Sequence, residues 1–228
     1  MLCLSFILSS QFASAQKSIK PCVERKTAAP VGYWMWRQGA QVSVYARPTD
    51  FKAQEIASIL NALKLWDEAS AENGSGVRFN YAGEASSTKT DDNSLTIMRG
   101  ATTRKEHRAE IKAFSKRGDQ IIDYAAITID PSVSGADAMS NALAHEIGHS
   151  LGLLDCYSCK HESTAMWKLS SSGIKAPTEC DNEQIKEAYR QLKLFVRPAP
   201  NAETQVTVDE GEEPVEDDTP IVESKPKV

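Results

Sequence analysis

The segment that decides the fold of this 228-residue chain runs from residue 145 to residue 155 and reads His-Glu-Ile-Gly-His-Ser-Leu-Gly-Leu-Leu-Asp. Two histidines four residues apart project from the same face of a helix. Neutral imidazoles at that spacing can both reach one zinc ion, at about 2.0–2.1 Å. The sequence therefore predicts a helical metal site with His145 and His149 as ligands.

Three further residues of the segment suit metal-assisted hydrolysis. Glu146 directly follows the first histidine, so its carboxylate is expected beside the metal rather than at a ligand position. Gly152 accepts the left-handed conformation that ends a helix, which lets the chain turn back and bring Asp155 to the metal as a third ligand. Zinc lowers the pKa of water and polarises a carbonyl group, and a carboxylate moves the proton. We expect Glu146 to be this general base.

The same residues could instead belong to an exposed helix whose charged side chains fall at this spacing by coincidence. An apolar stripe argues against that reading, because Met139, Leu143, Ile147 and Leu151 recur at helical spacing through residues 135–151. The polar face of the helix is therefore expected at a protein core.

The segment resembles the signature of the metzincin zinc endopeptidases, HExxHxxGxx followed by a third ligand and a methionine turn. The turn would be 163–167, with the thioether of Met166 beneath the metal. Over residues 32–198 the resemblance implies a zinc-dependent endopeptidase, with one catalytic ion, that hydrolyses internal bonds of peptide or protein substrates. Most metzincins use histidine as the third ligand. With Asp155 at this position, the chain is similar to the snapalysin-like enzymes, which use aspartate. The resemblance therefore implies a matrixin- or snapalysin-like member of the superfamily.

The predicted fold class is α+β, with a mixed twisted sheet of about four or five strands, two long helices and a C-terminal helix. Alternating or apolar runs predict strands at 42–46, 77–81, 94–98 and 121–130. Helices are expected at about 50–71 and 135–151, and after a capping box at 178–181. Residues 99–120 are not assigned. An extended peptide substrate is expected along an edge strand within 99–125.

The N-terminus predicts export from the cytoplasm. Residues 1–15 combine a short apolar stretch with a small-residue cleavage site and are interpreted as a signal peptide. Residues 16–31 form a polar lead-in to the catalytic domain at 32–198. We therefore expect a secreted or periplasmic protein.

Four cysteines remain after residue 15, namely Cys22, Cys156, Cys159 and Cys180. An even number in an exported protein favours two disulfide bonds, but all three pairings stay open. Cys156 and Cys159 could instead hold a second, structural zinc, since archaemetzincins are similar in having cysteine just after the third ligand. Cys22 could block the metal as a matrixin pro-segment cysteine does, although its neighbours do not match that motif.

The acidity of the chain lies in its last 30 residues. Residues 199–228 hold nine Asp and Glu against two Lys, whereas the whole chain has a net charge of −5. This composition predicts a disordered acidic tail. The remainder is nearly neutral and has no apolar run of about 20 residues, so we expect neither a nucleic-acid partner nor a membrane span, and we expect a monomer.

Two functions of other classes compete with the peptidase. A catalytically weak, zinc-retaining protein-binding module would keep the metal site, but the presence of Glu146 argues against it. A redox or scaffold protein would depend on the thiols of Cys156 and Cys159. His107 and His161 are expected to be surface histidines rather than ligands.

Overall fold

A computed structural model describes residues 22, 31–104, 107–117, 120–160, 163–167, 174–195 and 204–207. In chain order the elements are β1 (Val31–Trp36), β2 (Gln41–Ala46), α1 (Ala53–Ala69), β3 (Arg78–Glu84), β4 (Ser94–Arg99), β5 (Ala109–Ser115), β6 (Ile121–Ile122), β7 (Tyr124–Ile129), α2 (Ala136–Ser150), β8 (Leu151–Leu153), α3 (Glu179–Phe195) and β9 (Thr204–Thr207). None of the described helices is long and apolar enough to span a bilayer.

The larger sheet has six strands in the order β3-β2-β4-β7-β5-β9. The first four are parallel to one another, as when Leu95 of β4 lies opposite Ala125 of β7. β5 runs antiparallel to both of its neighbours. The sheet is therefore mixed, and its antiparallel part lies at the β5 side.

A second, smaller sheet has three strands in the order β6-β1-β8. β1 pairs in parallel with β6 and antiparallel with β8. Since β8 directly follows α2, this sheet fixes the point at which the chain leaves that helix.

The α+β class and the three helices agree with the sequence prediction, but the sheets differ from it. Four or five strands in a single sheet were expected, whereas the described residues form six strands in one sheet and three in another. The predicted strand at 121–130 is divided at Asp123, whose carboxylate accepts the N–H of Lys116 at 2.6 Å and whose own N–H bonds to Phe114. The unassigned interval 99–120 contains β5, in which Ala109, Ile111 and Ala113 are buried and Lys112 and Phe114 are half-buried.

The first long helix begins three residues later than predicted. Asp50 was expected near its cap, but the carboxylate of Asp50 accepts the backbone N–H of Arg99 at 2.6 Å instead. The helix starts at Ala53, where the N–H of Lys52 donates to the carboxylate of Glu55 at 2.9 Å. The apolar stripe predicted for this helix is buried at Ile59, Leu63 and Trp66, whereas Leu60 is 42% exposed. The buried residues of α1 cover the core face of the sheet.

The C-terminal helix starts as the sequence predicted. The N–H of Asp181 donates to the hydroxyl of Thr178 at 3.2 Å, and the N–H of Thr178 donates to the Asp181 carboxylate at 2.9 Å. These reciprocal bonds are a capping box, and they define the first turn of α3.

Within the predicted acidic tail, residues 204–207 differ from the expected disorder. They form β9, which lies antiparallel to β5 with Val206 opposite Ala113. Thr and Val have high strand propensity. The prediction from the acidic composition of the whole tail was therefore wrong for these four residues. The rest of 199–228, the signal peptide at 1–15 and nearly all of the lead-in at 16–31 lie outside the described residues.

Candidate metal centre

Helix α2 lies in the protein interior and bears the candidate ligands His145 and His149. Every residue from Ala142 to Ser150 is buried, and Ile147 and Leu143 are fully enclosed. His145 and His149 lie one turn apart with their ring centroids 4.7 Å from each other and their planes nearly perpendicular. Two polar rings in such surroundings need polar partners of their own.

Gly152 turns the chain back at the end of α2, as its position in the sequence predicted. Its φ is +91°, a conformation that residues with a side chain rarely adopt. A Cβ atom there would also lie 2.9 Å from the terminal methyl group of Met35. Glycine therefore serves both the reversal and the close packing of β8 on β1.

The reversal brings Asp155 to the two histidines. Its Oδ1 lies 2.9 Å from Nε2 of His145 and 3.8 Å from Nε2 of His149. All three side chains are at most 4% exposed, and their candidate ligand atoms lie within 4.8 Å of one another. The structure therefore places His145, His149 and Asp155 together as a group that could hold a metal ion.

The second ring nitrogen of each histidine fixes its tautomer. Nδ1 of His145 lies 2.9 Å from the carbonyl oxygen of Ala165, and Nδ1 of His149 lies 2.8 Å from that of Leu153. A carbonyl oxygen can only accept, so each Nδ1 carries the proton and each neutral ring presents a lone pair at Nε2. Backbone carbonyls that orient histidines in this way are typical of metal ligands.

The candidate ligand atoms of His145, His149 and Asp155 consequently converge in the buried site. With the protons on Nδ1, neither Nε2 of His149 nor either oxygen of Asp155 has a hydrogen-bond partner among the residues that the structure describes. Buried acceptors cost free energy unless a cation satisfies them. Ligand atoms of a tetrahedral zinc at about 2.0–2.1 Å are about 3.4 Å apart, and the 2.9 and 3.8 Å separations span that value. The residues fit such an ion.

In the metal-free protein a proton takes the place of the cation. Burial opposes charge on His145, but the hydrogen bond and negative charge of Asp155 outweigh it and raise the pKa of His145 to about 9. Burial and the positive charge of His145 lower the pKa of His149 to about 4. Burial also opposes charge on Asp155, yet the histidines hold its pKa below the usual value. One shared proton therefore resides on His145.

Glu146 lies on the same buried turn of α2, with 1% of its surface exposed. Its negative charge contributes to the raised pKa of His145, so the carboxylate is close to the ligand group. A second acidic group beside the histidines gives the site a proton acceptor in addition to the ligands.

The segment predicted as a methionine turn packs against α2 next to the candidate site. Residues 165 and 166 form a turn, and the N–H of Met166 bonds to the hydroxyl of Thr164 at 3.0 Å. The sulfur of Met166 packs so closely on α2 that a Cβ at Gly148 would collide with it. The carbonyl of Met166 accepts the N–H of Cys156 at 2.7 Å, which joins this turn to the residue after Asp155.

Asp181 is the polar residue that joins that turn to α3, and only its role in the capping box could be predicted from the sequence. Its side chain is fully buried and accepts the N–H of Ala165 at 3.0 Å and the hydroxyl of Thr164. Ala165 in turn orients His145 through its carbonyl group. A contact across 16 residues of chain has no local pattern from which it could have been predicted.

A family profile described as the catalytic domain of immune inhibitor A peptidase M6 matches residues 82–196, which is half of the chain. The chain belongs to this peptidase family. The match includes α2, the candidate metal centre and nearly all of α3, so the chain is a metallopeptidase by family. No curated protein sequence matches it at a significant level.

Solved structures similar to this M6 peptidase share little sequence identity with it. Metalloproteinase-II from Bacteroides fragilis is 14% identical with a TM-score of 0.40, and the match covers 67% of this chain and 54% of that one. Archaemetzincin from Methanopyrus kandleri is 13% identical with a TM-score of 0.42, and the match covers 71% and 98%. Myroilysin is 18% identical with a TM-score of 0.32, and the match covers 59% and 55%. The chain thus spans about half the length of the first and third of these.

Both cysteine pairs of the M6 peptidase are disulfide-bonded, which resolves the pairings left open by the sequence. Cys22 bonds to Cys180 at the start of α3, and Cys156 bonds to Cys159 directly after Asp155. Neither a second zinc on Cys156 and Cys159 nor a free thiol at Cys22 agrees with these bonds.

His107 of the M6 peptidase is half-buried two residues before β5, and it is not among the grouped candidate ligands of the described residues. His161 lies outside the described residues.

Proposed function

We propose that this M6 peptidase is a secreted zinc-dependent endopeptidase that hydrolyses internal peptide bonds of protein substrates. The observation that carries the proposal is the convergence of the buried ligand atoms of His145, His149 and Asp155, among which Nε2 of His149 has no hydrogen-bond partner within the described residues. These residues would hold one zinc ion, in an arrangement similar to the snapalysin-like sites that use aspartate. Bound zinc supplies Lewis acidity, which polarises a carbonyl group and lowers the pKa of water.

Glu146 is proposed as the general base. Its carboxylate takes a proton from the attacking water and delivers that proton to the nitrogen of the leaving amine, so the two halves of the peptide bond separate as acid and amine. His145 and His149 keep their Nδ1 protons in bonds to Ala165 and Leu153, so their Nε2 lone pairs stay directed at the shared ligand position.

Export is supported by the two disulfide bonds, since such bonds persist in oxidising compartments outside the cytoplasm. The predicted signal peptide at 1–15 agrees with the same location. A monomer remains our expectation for the oligomeric state.

The decisive experiment compares cleavage of an unstructured protein by the zinc-loaded chain and by its Glu146→Gln variant. We expect the parent to cleave and the variant to bind one zinc without measurable turnover. Glu187→Gln is the matched control, because Glu187 is an exposed carboxylate that bonds to Arg190, and it should retain full activity. Zinc content is measured in all three proteins.

Each alternative result has a distinct meaning. Loss of zinc from Glu146→Gln would contradict its role as a base and make it a ligand. Cleavage by none of the proteins, with zinc bound in each, would favour the zinc-retaining binding module. The ligand role of Asp155 is tested separately, since Asp155→Ala should lose most of its zinc affinity, and tight stoichiometric zinc in that variant would remove Asp155 from the metal.

A further inference from the structure

The outer edge of β5 is occupied by the chain's own C-terminal segment. One edge of β5 pairs with β7 from Ala109 to Phe114, and the other pairs with β9 from Lys112 to Ser115. Without β9 the larger sheet would have five strands, and β5 would be the last of them. Its backbone N–H and C=O groups would then be open to another extended chain.

The strand in question packs against the helix that bears the candidate metal centre. This helix is α2, which carries His145 and His149. A peptide that adds to the outer edge of β5 would therefore extend the sheet that packs against the proposed catalytic helix.

An added peptide and β9 need the same backbone groups. Extended peptides bind to proteins by adding a strand to an exposed sheet edge, with main-chain hydrogen bonds providing affinity. β9 already makes this kind of addition, in an antiparallel register that sets Thr207 opposite Lys112 and Thr204 opposite Ser115. Two chains cannot bond to one strand edge at the same time.

The charges of the two segments favour the pairing of β9 with β5. Residues 104–117, which include β5, hold six Lys and Arg against two Asp and Glu, a net of +4. Residues 199–228 have a net charge of −7. Opposite charges on the two segments attract, most strongly at low ionic strength.

We propose that Thr204–Thr207 is a competitor built into the chain, which covers the strand edge that a substrate peptide uses and must leave before the substrate binds. The proposal rests on the proposed function in that it names the regulation of the same site. It gives the acidic C-terminal segment a role as an internal inhibitor of substrate binding.

The test uses the full chain with proline at two adjacent positions, Gln205→Pro and Val206→Pro together. Neighbouring residues of a strand direct their N–H groups to opposite sides, so one of the two substitutions removes a donor facing β5. The matched control places Ile221→Pro and Val222→Pro in the same acidic segment but away from β9, so that neither variant changes the charge. All variants keep the proposed catalytic residues and the core unchanged.

The first measurement is amide hydrogen exchange across β5. We expect the amides of residues 112–115 to exchange faster in the β9 proline variant than in the parent and in the control variant. Equal exchange in all three would overturn the docking of β9. This readout does not depend on activity or on zinc.

The second measurement is binding and cleavage of one fluorescently labelled, unstructured polypeptide. If the edge is open in about one molecule in five, the β9 variant should lower KM about fivefold with kcat unchanged. A synthetic peptide of residues 201–210, added to that variant, should restore the parental KM as a competitive inhibitor. If the β9 variant shows faster exchange but an unchanged KM, β9 docks on β5 but does not compete with the substrate, and the proposal is wrong.

Failure of the proposed function has a separate signature. The same labelled polypeptide is titrated by anisotropy against Glu146→Gln versions of the parent and the β9 variant. Tighter binding to the β9 variant, with no cleavage by any active-site-intact protein, would retain the competitor and reject the peptidase. Equal binding by both would reject the competitor whatever the activity.

Discussion

The backbone N–H of Ala165 donates to the buried carboxylate of Asp181 at 3.0 Å, while the carbonyl of the same Ala165 accepts from Nδ1 of His145 at 2.9 Å. Asp181 therefore acts on a candidate metal ligand through a single peptide unit. The same carboxylate also caps α3 through Thr178. One side chain thus couples the position of the third helix to the orientation of His145.

We expect Asp181→Ala to lower stability and zinc affinity together. Leaving several buried donors without an acceptor costs about 3 kcal/mol, and loss of a residue that orients a ligand typically weakens metal binding about 10- to 100-fold. Urea unfolding and competition with a chromophoric chelator measure the two effects. Asp92→Asn, which removes an exposed partner of Lys116, is the control and should change neither. Zinc affinity that stays at the parental value in Asp181→Ala would limit Asp181 to a structural role.

Zinc binding at pH 7 should release about one proton. His145, with a pKa of about 9 in the metal-free protein, is protonated at that pH, whereas His149, with a pKa of about 4, is already neutral. The apparent zinc affinity should therefore fall about tenfold per pH unit from pH 9 down to pH 4, and more steeply below. Calorimetry in buffers of different ionisation enthalpy counts the protons, and a count near zero or near two would contradict this assignment.

The same protonation predicts the pH dependence of the metal-free fold. The pKa of His145 is raised on folding, so the stabilisation by its pair with Asp155 is fully present below pH 6.5 and is lost as the pH rises through about 9. Urea unfolding of the chelator-treated protein between pH 6 and pH 10 should show this loss. The His145→Ala variant should lack that dependence.

Gly152→Ala should cost more than Gly39→Ala, although both glycines have positive φ values of +91° and +77°. Nothing lies within 4 Å of a Cβ at Gly39, so Gly39→Ala costs only the backbone term of about 1 kcal/mol. At Gly152 the added atom also meets Met35 and Ala188, which adds about 1–3 kcal/mol of overpacking. Thermal unfolding compares the two variants, and equal losses would show that Met35 gives way.

The two disulfide bonds should differ in what they stabilise. The Cys22–Cys180 bond closes a separation of 158 residues, which is worth about 5 kcal/mol of chain entropy, whereas the Cys156–Cys159 bond spans 3 residues and is worth about 2 kcal/mol. We expect the Cys156→Ser, Cys159→Ser variant to lose more zinc affinity, because its bond follows Asp155 directly. We expect the Cys22→Ser, Cys180→Ser variant to lose more stability. The reverse order in either measurement would reject this division.

The parts of the fold that were predicted from the sequence are those set by local pattern. Helix α2, the reversal at Gly152 and the capping box at Thr178 each follow from residues within one or two turns of chain. The position of Asp155 followed from that reversal. These features depend on backbone geometry and hydrogen bonds that neighbouring residues make with each other.

The parts that were not predicted depend on pairing between distant segments. β5 contains polar residues at Glu110 and Lys112 that mask its buried positions, and only its neighbours β7 and β9 define it as a strand. Asp181 was predicted as a capping residue, but its bond to Ala165 requires the turn at 163–167 to pack against α3. Strand β9 was hidden within an acidic composition that argues for disorder.

The three candidate ligands lie within eleven consecutive residues, although their supporting groups come from elsewhere in the chain. A cation bound there closes a short loop, and short loops cost little entropy to close. We therefore expect segment 145–155 to need few long-range contacts to bring its ligand atoms together, and we expect the docking of Ala165 and Asp181 to determine how tightly an ion is held.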